Sequence, residues 1–286
     1  MTSGRHKVGK TTGRSNVIVR LFHQLPTWSR WIGAAAIVAL YIYFFYYFFV
    51  GPFGFRWRAL YGDINYPEGY EIQGIDISHH QGVINWPQLK ADGRIDKYPV
   101  RFVMMKATEG ANRVDENFHD NFFQSREYGF TRGVYHFYSV HSGAKEQARF
   151  FIRIVQLENG DLPPVLDVEN KPEQLSDQQF KDSVLLWLRT VERHYGVKPI
   201  VYTNHNFKLR YLSDAAFDEY PYWIAHYYVD KVQYPGAWKF WQYTDVGRIA
   251  GIHGSVDFNV YNGSFYDLRK MTIGSREQIG EDAYKD

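Results

Sequence analysis

Pro164-Val165-Leu166-Asp167-Val168-Glu169 is an apolar run closed by two acids in alternate positions. In an extended chain, residues i and i+2 face the same way with Cα atoms about 7 Å apart, so both carboxyls leave the strand on one side. The stretch predicts a buried strand at Pro164–Asp167 that delivers a pair of acids at its C-terminal end. Comparable runs recur on both sides of it. Strands are predicted at Gly74–Ser78, Phe102–Lys106 and Gly133–Tyr138 before it. Four more follow, at Pro199–Tyr202, Tyr222–Ala225, Phe240–Tyr243 and Val256–Asn259. Several are almost continuously apolar, the pattern of parallel strands covered on both faces.

Helical patterns fill the earlier gaps, at Asn117–Tyr128, Gly143–Gln156 and Ser176–Tyr195. The last has Ser176 as N-cap and Phe180, Val184, Leu185, Leu188 and Val191 along one stripe. Eight strands with helices between them suggest an α/β fold of the (β/α) barrel type. The later strands are too closely spaced for full helices, so the second half is expected to be irregular.

The N-terminal part reads differently. Eight of the 33 basic residues precede the first acid, Asp63, which leaves the rest of the chain six charges negative. That balance argues against a nucleic-acid-binding domain, which needs a strongly basic face. No cysteine is present, so disulfides, thiolate metal sites and cysteine nucleophiles are excluded. Residues 31–50 contain no charge. As a helix they span about 30 Å, the hydrocarbon thickness of a bilayer. A cleaved signal peptide is the nearest rival, but its apolar core is shorter and ends in a small-residue cleavage site. Six Lys or Arg precede Trp31, whereas only Arg56 and Arg58 follow closely. The N-terminus is therefore expected inside the cytoplasmic membrane and the rest outside it. An acid-free start with Ser, Thr and Arg also suits an organelle transit peptide.

The expected organisation is a basic tail (1–30), an anchor (31–55), a linker (56–72), the barrel (73–270) and a polar tail (271–286). Residues 4–11 fit the phosphate-loop pattern G-x-x-x-x-G-K-[ST], but without the strand and helix that this chemistry needs.

Active sites of such barrels lie at the C-terminal ends of the strands. Those ends carry Asp76, Glu109, His136, Tyr138, Asp167, Glu169, Tyr202, Trp223, His226, Gln242 and Asp257. Asp167 and Glu169 are the sharpest pair. Two crowded carboxyls do not both ionise easily, so one pKa rises and that group becomes a proton donor near neutral pH. Glycoside cleavage needs this division: an acid for the leaving oxygen and a carboxylate to stabilise positive charge. Metal hydrolysis is the competitor, through His79, His80, His136 and His226. Adjacent residues of an extended segment face opposite ways, which tells against His79 and His80 sharing an ion. Neither H-E-x-x-H nor G-x-S-x-G occurs. No metal or cofactor is expected.

Seven ordered blocks carry a family resemblance. They are Gly74-Ile75-Asp76-Ile77-Ser78-His79-His80-Gln81-Gly82 with Ile84-Asn85-Trp86, then residues 102–110, 133–138, 166–169, 201–203, 241–243 and 256–259. Together they resemble glycoside hydrolase family 25, the Chalaropsis-type lysozymes, over residues 74–268. The resemblance implies an irregular (β/α)5(β)3 barrel, here preceded by a single transmembrane helix. It implies cleavage of the β-1,4 bond between N-acetylmuramic acid and N-acetylglucosamine in peptidoglycan glycan strands. It makes Glu169 the general acid/base, Asp167 the stabilising carboxylate, and Asp76 and Asp257 further acidic site residues. Tyr135, Tyr202 and Gln242 are implied substrate contacts; Glu109, Tyr138 and Trp223 join them from the strand ends. A binding protein without turnover, or a glucosaminidase cutting the other bond, are the alternatives.

Overall fold

A computed structural model describes residues 26–47 and 64–275, in two compact units divided after Trp57. The phosphate-loop match at 4–11, most of the basic tail, residues 48–55 of the expected anchor, residues 56–63 of the linker, and the C-terminal tail beyond Ser275 lie outside the described residues.

In the N-terminal unit, α1 (Thr27–Phe45) starts four residues before the expected span. Pro26 precedes its first turn, and its carbonyl accepts from the Ser29 N–H (3.0 Å) and hydroxyl (2.8 Å). By length and composition this 19-residue helix is able to cross a membrane.

The second unit is a closed barrel. Its ring consists of β1 (Gln73–Ile77), β3 (Tyr98–Glu109), β5 (Thr131–Phe137), β6 (Val165–Asp167), β7 (Ile200–Asn204), β8 (Tyr222–Ala225), β9 (Phe240–Gly247) and β10 (Val256–Tyr261). Strands β1 to β9 of the ring pair in parallel; β10 is antiparallel to both β9 and β1 and closes it. Two-residue strands β2 (Arg94–Ile95) and β4 (Arg113–Val114) form hairpins with β3.

Five strand–helix units come first, with α2 (Trp86–Asp92), α3 (Phe118–Glu127), α4 (Ala144–Ile154), α5 (Asp177–Tyr195) and, after β7, α6 (His205–Tyr211) and α7 (Ala215–Asp218). Three strands then follow without intervening helices, before α8 (Phe265–Lys270). All eight ring strands fall where the apolar runs predict them. The short helices α2, α6, α7 and α8 escaped the sequence reading because seven residues or fewer show too little of a 3.6-residue period.

Capping chemistry sets the longest helix of the barrel. Ser176 Oγ accepts from the Gln179 N–H (3.2 Å), and Gln179 Oε1 accepts from the Ser176 N–H (2.9 Å). At the other end Gly196 takes the left-handed conformation at φ 71°.

Strand alternation divides the core in two. Ile75, Val103, Met105, Val134, Leu166 and Val201 pack outward with the helix residues Phe151, Phe180, Trp187 and Leu188. Phe102, Met104, Val165, Phe240 and Tyr261 form a separate inner cluster. Two glycines make that inner packing possible. A Cβ on Gly74 would meet the Phe102 ring at 2.4 Å, and one on Gly133 would meet Met104 Sδ at 2.3 Å. Continuing each inward series by two residues reaches Asp76, Lys106, Tyr135, Asp167 and Gln242, where the apolar plug gives way to polar groups.

Candidate active site

At that end of the barrel a cavity of about 200 Å³ is lined by Asp76, Ser78, His80, Lys106, Tyr135, Phe137, Asp167, Glu169, Tyr202, Trp223, Gln242 and Asp257. Hollows of about 580 and 600 Å³ open elsewhere on the barrel, but neither gathers buried carboxyls. Chemistry, rather than size, selects the site.

One wall is braced by amides. Asp76 and Asp257 are ladder partners on β1 and β10. Asp76 Oδ2 accepts from Asn259 Nδ2 (2.7 Å) and Gln242 Nε2 (2.8 Å), and Gln242 Nε2 also reaches Asp257 Oδ2 (3.3 Å). Gln242 Oε1 accepts from Tyr202 (2.8 Å) and Tyr227 (2.5 Å). Trp223 Nε1 donates to Asn259 Oδ1 (2.7 Å). Burial pushes Asp76 up to about 6 against the pull of these donors. Burial, then the charge and hydrogen bond of Asp76, push Asp257 well above the usual carboxylate range. Each of the two acids therefore favours its protonated form.

The opposite wall is less satisfied. Asp167 is buried, and its Oδ1 has no hydrogen-bond partner within the protein. Burial and then the neighbouring Glu169 raise its pKa well above normal, with Lys106 opposing. Glu169 is raised by burial, against the lowering influence of the neighbouring Tyr202 hydroxyl and the charge of Lys106. One lysine therefore faces four acids. Burial and crowding of this kind favour the protonated form of a carboxyl.

Of the ten site residues read from the sequence, eight line the cavity: Asp76, Tyr135, Asp167, Glu169, Tyr202, Trp223, Gln242 and Asp257. Two do not. Tyr138 is buried on the outer side of the barrel, edge-on to Phe180 at 6.3 Å. Glu109 lies beside the cavity, bonded to Lys106 and Arg113. His136 likewise faces the helices. It stacks on Trp187 at 5.4 Å, with Nδ1 2.7 Å from Thr108 Oγ1 and Nε2 3.1 Å from Gln147 Oε1, and burial lowers it to about 4. His79 and His80 depart from the extended geometry expected of them. Residues 79–81 form a 3₁₀ turn and the two rings lie 4.0 Å apart, with His79 Nδ1 2.7 Å from Asp115. Among the described residues, no three His, Cys, Asp or Glu side chains are arranged to hold a metal ion.

The sequence reading missed Lys106, Ser78, His80 and Phe137 in the lining, and Tyr227 and Asn259 behind it. The inward parity of Lys106, two residues after Met104, was the available signal.

Comparison with known proteins decides the family. Residues 75–252 match glycosyl hydrolases family 25. The chain belongs to that family. It is a glycoside hydrolase. Lysozyme M1 of Streptomyces globisporus is 33% identical over 211 residues, 68% of each chain. The protein YegX of Escherichia coli O157:H7 is 39% identical over 86% of this chain and 93% of its own length. The crystal structure of a Streptomyces coelicolor lysozyme superposes with a TM-score of 0.66 at 31% identity, covering 73% of this chain and all of that one.

Proposed function

We propose that this family 25 hydrolase is a membrane-tethered N-acetylmuramidase, cutting the β-1,4 bond between N-acetylmuramic acid and N-acetylglucosamine in peptidoglycan. The carrying observation is the acid couple at the end of β6, whose buried Asp167 Oδ1 lacks a donor. An N-acetyl amide N–H placed there stabilises ionised Asp167 and leaves the couple's proton on Glu169. Glu169 then gives that proton to the leaving glycosidic oxygen as the C–O bond breaks. Asp167 stabilises the positive charge that develops on the sugar, and Glu169 takes a proton from the water that completes hydrolysis. Asp76 and Asp257 shape the facing wall; Tyr135, Tyr202, Trp223 and Gln242 contact the sugars. The name and sequence of the Streptomyces globisporus relative support this substrate.

The tether is the apolar segment 31–50, of which α1 supplies residues 31–45. The basic residues before it support an N-terminus in the cytoplasm and a barrel on the wall side. Mass spectrometry of digested peptidoglycan tests the chemistry: new reducing muramic acid ends are expected. Reducing glucosamine ends would make it a glucosaminidase, and bound glycan without new ends a binding protein. Protease added to intact spheroplasts should degrade the barrel; its protection would overturn the orientation.

A further inference from the structure

Lys106 stands between two hollows. It lines the catalytic cavity and also a depression of about 100 Å³ that contains His79, Glu109, Arg113 and Asp115. Its Nζ donates to Glu109 Oε2 at 2.7 Å, and Arg113 donates to Glu109 Oε1, also at 2.7 Å. In a regular strand residues three apart face opposite ways. Here the β3–β5 register shifts between Lys106 and Thr108, and that bulge turns Glu109 to the side of Lys106. Bulges beside active sites commonly re-aim a side chain in this way. The Arg113 side chain is 66% exposed, so its pair with Glu109 contributes little to folding. What the pair does is fix the direction of the Glu109 carboxylate.

We propose that Glu109, steadied by Arg113, is a positioning residue: by holding Lys106 from outside, it sets how strongly that ammonium acts on the Asp167–Glu169 couple. The proposal rests on the reading that this couple performs the cleavage. Around Lys106 in the cavity, β6 and its end present Asp167 and Glu169, β1 and the turn after it present Asp76 and His80, β7 presents Tyr202, and β10 presents Asp257. From β5 come Tyr135 and His136, the latter uncharged near neutral pH because burial lowers it to about 4. Across the hairpin stand Arg113 and Asp115, the latter engaged by His79. Lys106 lowers both members of the couple, whereas Glu109 is itself held below the usual carboxylate range by Lys106 and Arg113, against its partial burial. Removing Glu109 leaves the ammonium uncompensated on the couple; removing Lys106 strips the couple of its cation. The two changes have opposite signs.

The test is the pH profile of kcat/KM for release of reducing ends from peptidoglycan, in full-length protein. Glu109→Gln should move the alkaline limb down by about half a pH unit, and Lys106→Met should move it up by about one, the low end of what an adjacent opposite charge does to a carboxyl. The double variant should match Lys106→Met, since Glu109 acts only through Lys106. Arg113→Ala, at an exposed position, loosens Glu109 and should move the limb down slightly, in the direction of Glu109→Gln, and lose that effect in the Lys106→Met background. It decides the matter if Glu109→Gln does not fold. Carbon-13 titration of the Glu169 carboxyl reads the same shifts without substrate. Thus a wild type that releases no ends refutes the cleavage reading, while the titration still decides the role of Glu109. Superposed profiles and titrations for wild type, Glu109→Gln and Arg113→Ala, or equal Glu109→Gln shifts with and without Lys106, would overturn the inference.

Discussion

The two carboxyl pairs of the cavity solve the same problem in different ways. Asp76 and Asp257, on β1 and β10, are surrounded by donors from Asn259 and Gln242, and Gln242 is itself held by two tyrosines. Asp167 and Glu169, at the end of β6, have a nearby tyrosine hydroxyl, one nearby lysine and an unpaired Oδ1. A buried polar atom left without a partner costs free energy that a fully bonded one does not. On the proposed function, the first pair is a fixed wall and the second is the place where a substrate completes the bonding.

Breaking the second pair should have the largest effect. Glu169→Gln is expected to lower kcat by at least about 10²-fold, the usual loss for a general acid. Thermal unfolding should show the fold retained, and steady-state release of reducing ends measures the loss. Breaking the first wall should act on stability before chemistry. Gln242→Leu removes one of the two amide donors of Asp76 and strands the Tyr202 and Tyr227 hydroxyls, and denaturant unfolding should show a loss of roughly 1–3 kcal/mol, the cost of leaving buried polar groups unpaired. A neutral result would mean that the amide braces nothing.

A smaller effect sharpens the comparison through pH. The folded-state pKa of Asp76 lies near 6, above its model-peptide value of 3.8. The folded state therefore binds this proton more tightly than the unfolded state. The resulting stabilisation is complete below about pH 4 and is lost as pH rises through about 6. Urea unfolding between pH 4 and 7 should show a smaller decline in Asp76→Asn than in wild type; identical slopes would contradict the assignment.

The strands were readable in sequence because eight apolar runs are long enough to be buried on both sides and are separated by polar turns. Which of their end residues enter the barrel was less readable. Tyr135 and Phe137 point in while His136 and Tyr138 point out, and a strand end alone does not reveal that parity. The clue lay in Gly133, whose missing side chain leaves the inner row to Met104 and so fixes the parity of β5. Glu109 was misplaced for another reason: the bulge after Lys106 has no local signature in an apolar run, and it resets the alternation just before the site. Asn259 and Tyr227 act from behind the lining, through Asp76 and Gln242, so no strand-end pattern exposes them.

The most direct measurement is carbon-13 titration of the four cavity carboxyls in the folded protein. Asp76 should titrate near pH 6, and Asp167, Glu169 and Asp257 should all titrate above ordinary carboxyls. Four ordinary titrations close to pH 4 would contradict a crowded, dry acid cluster and the chemistry assigned to it.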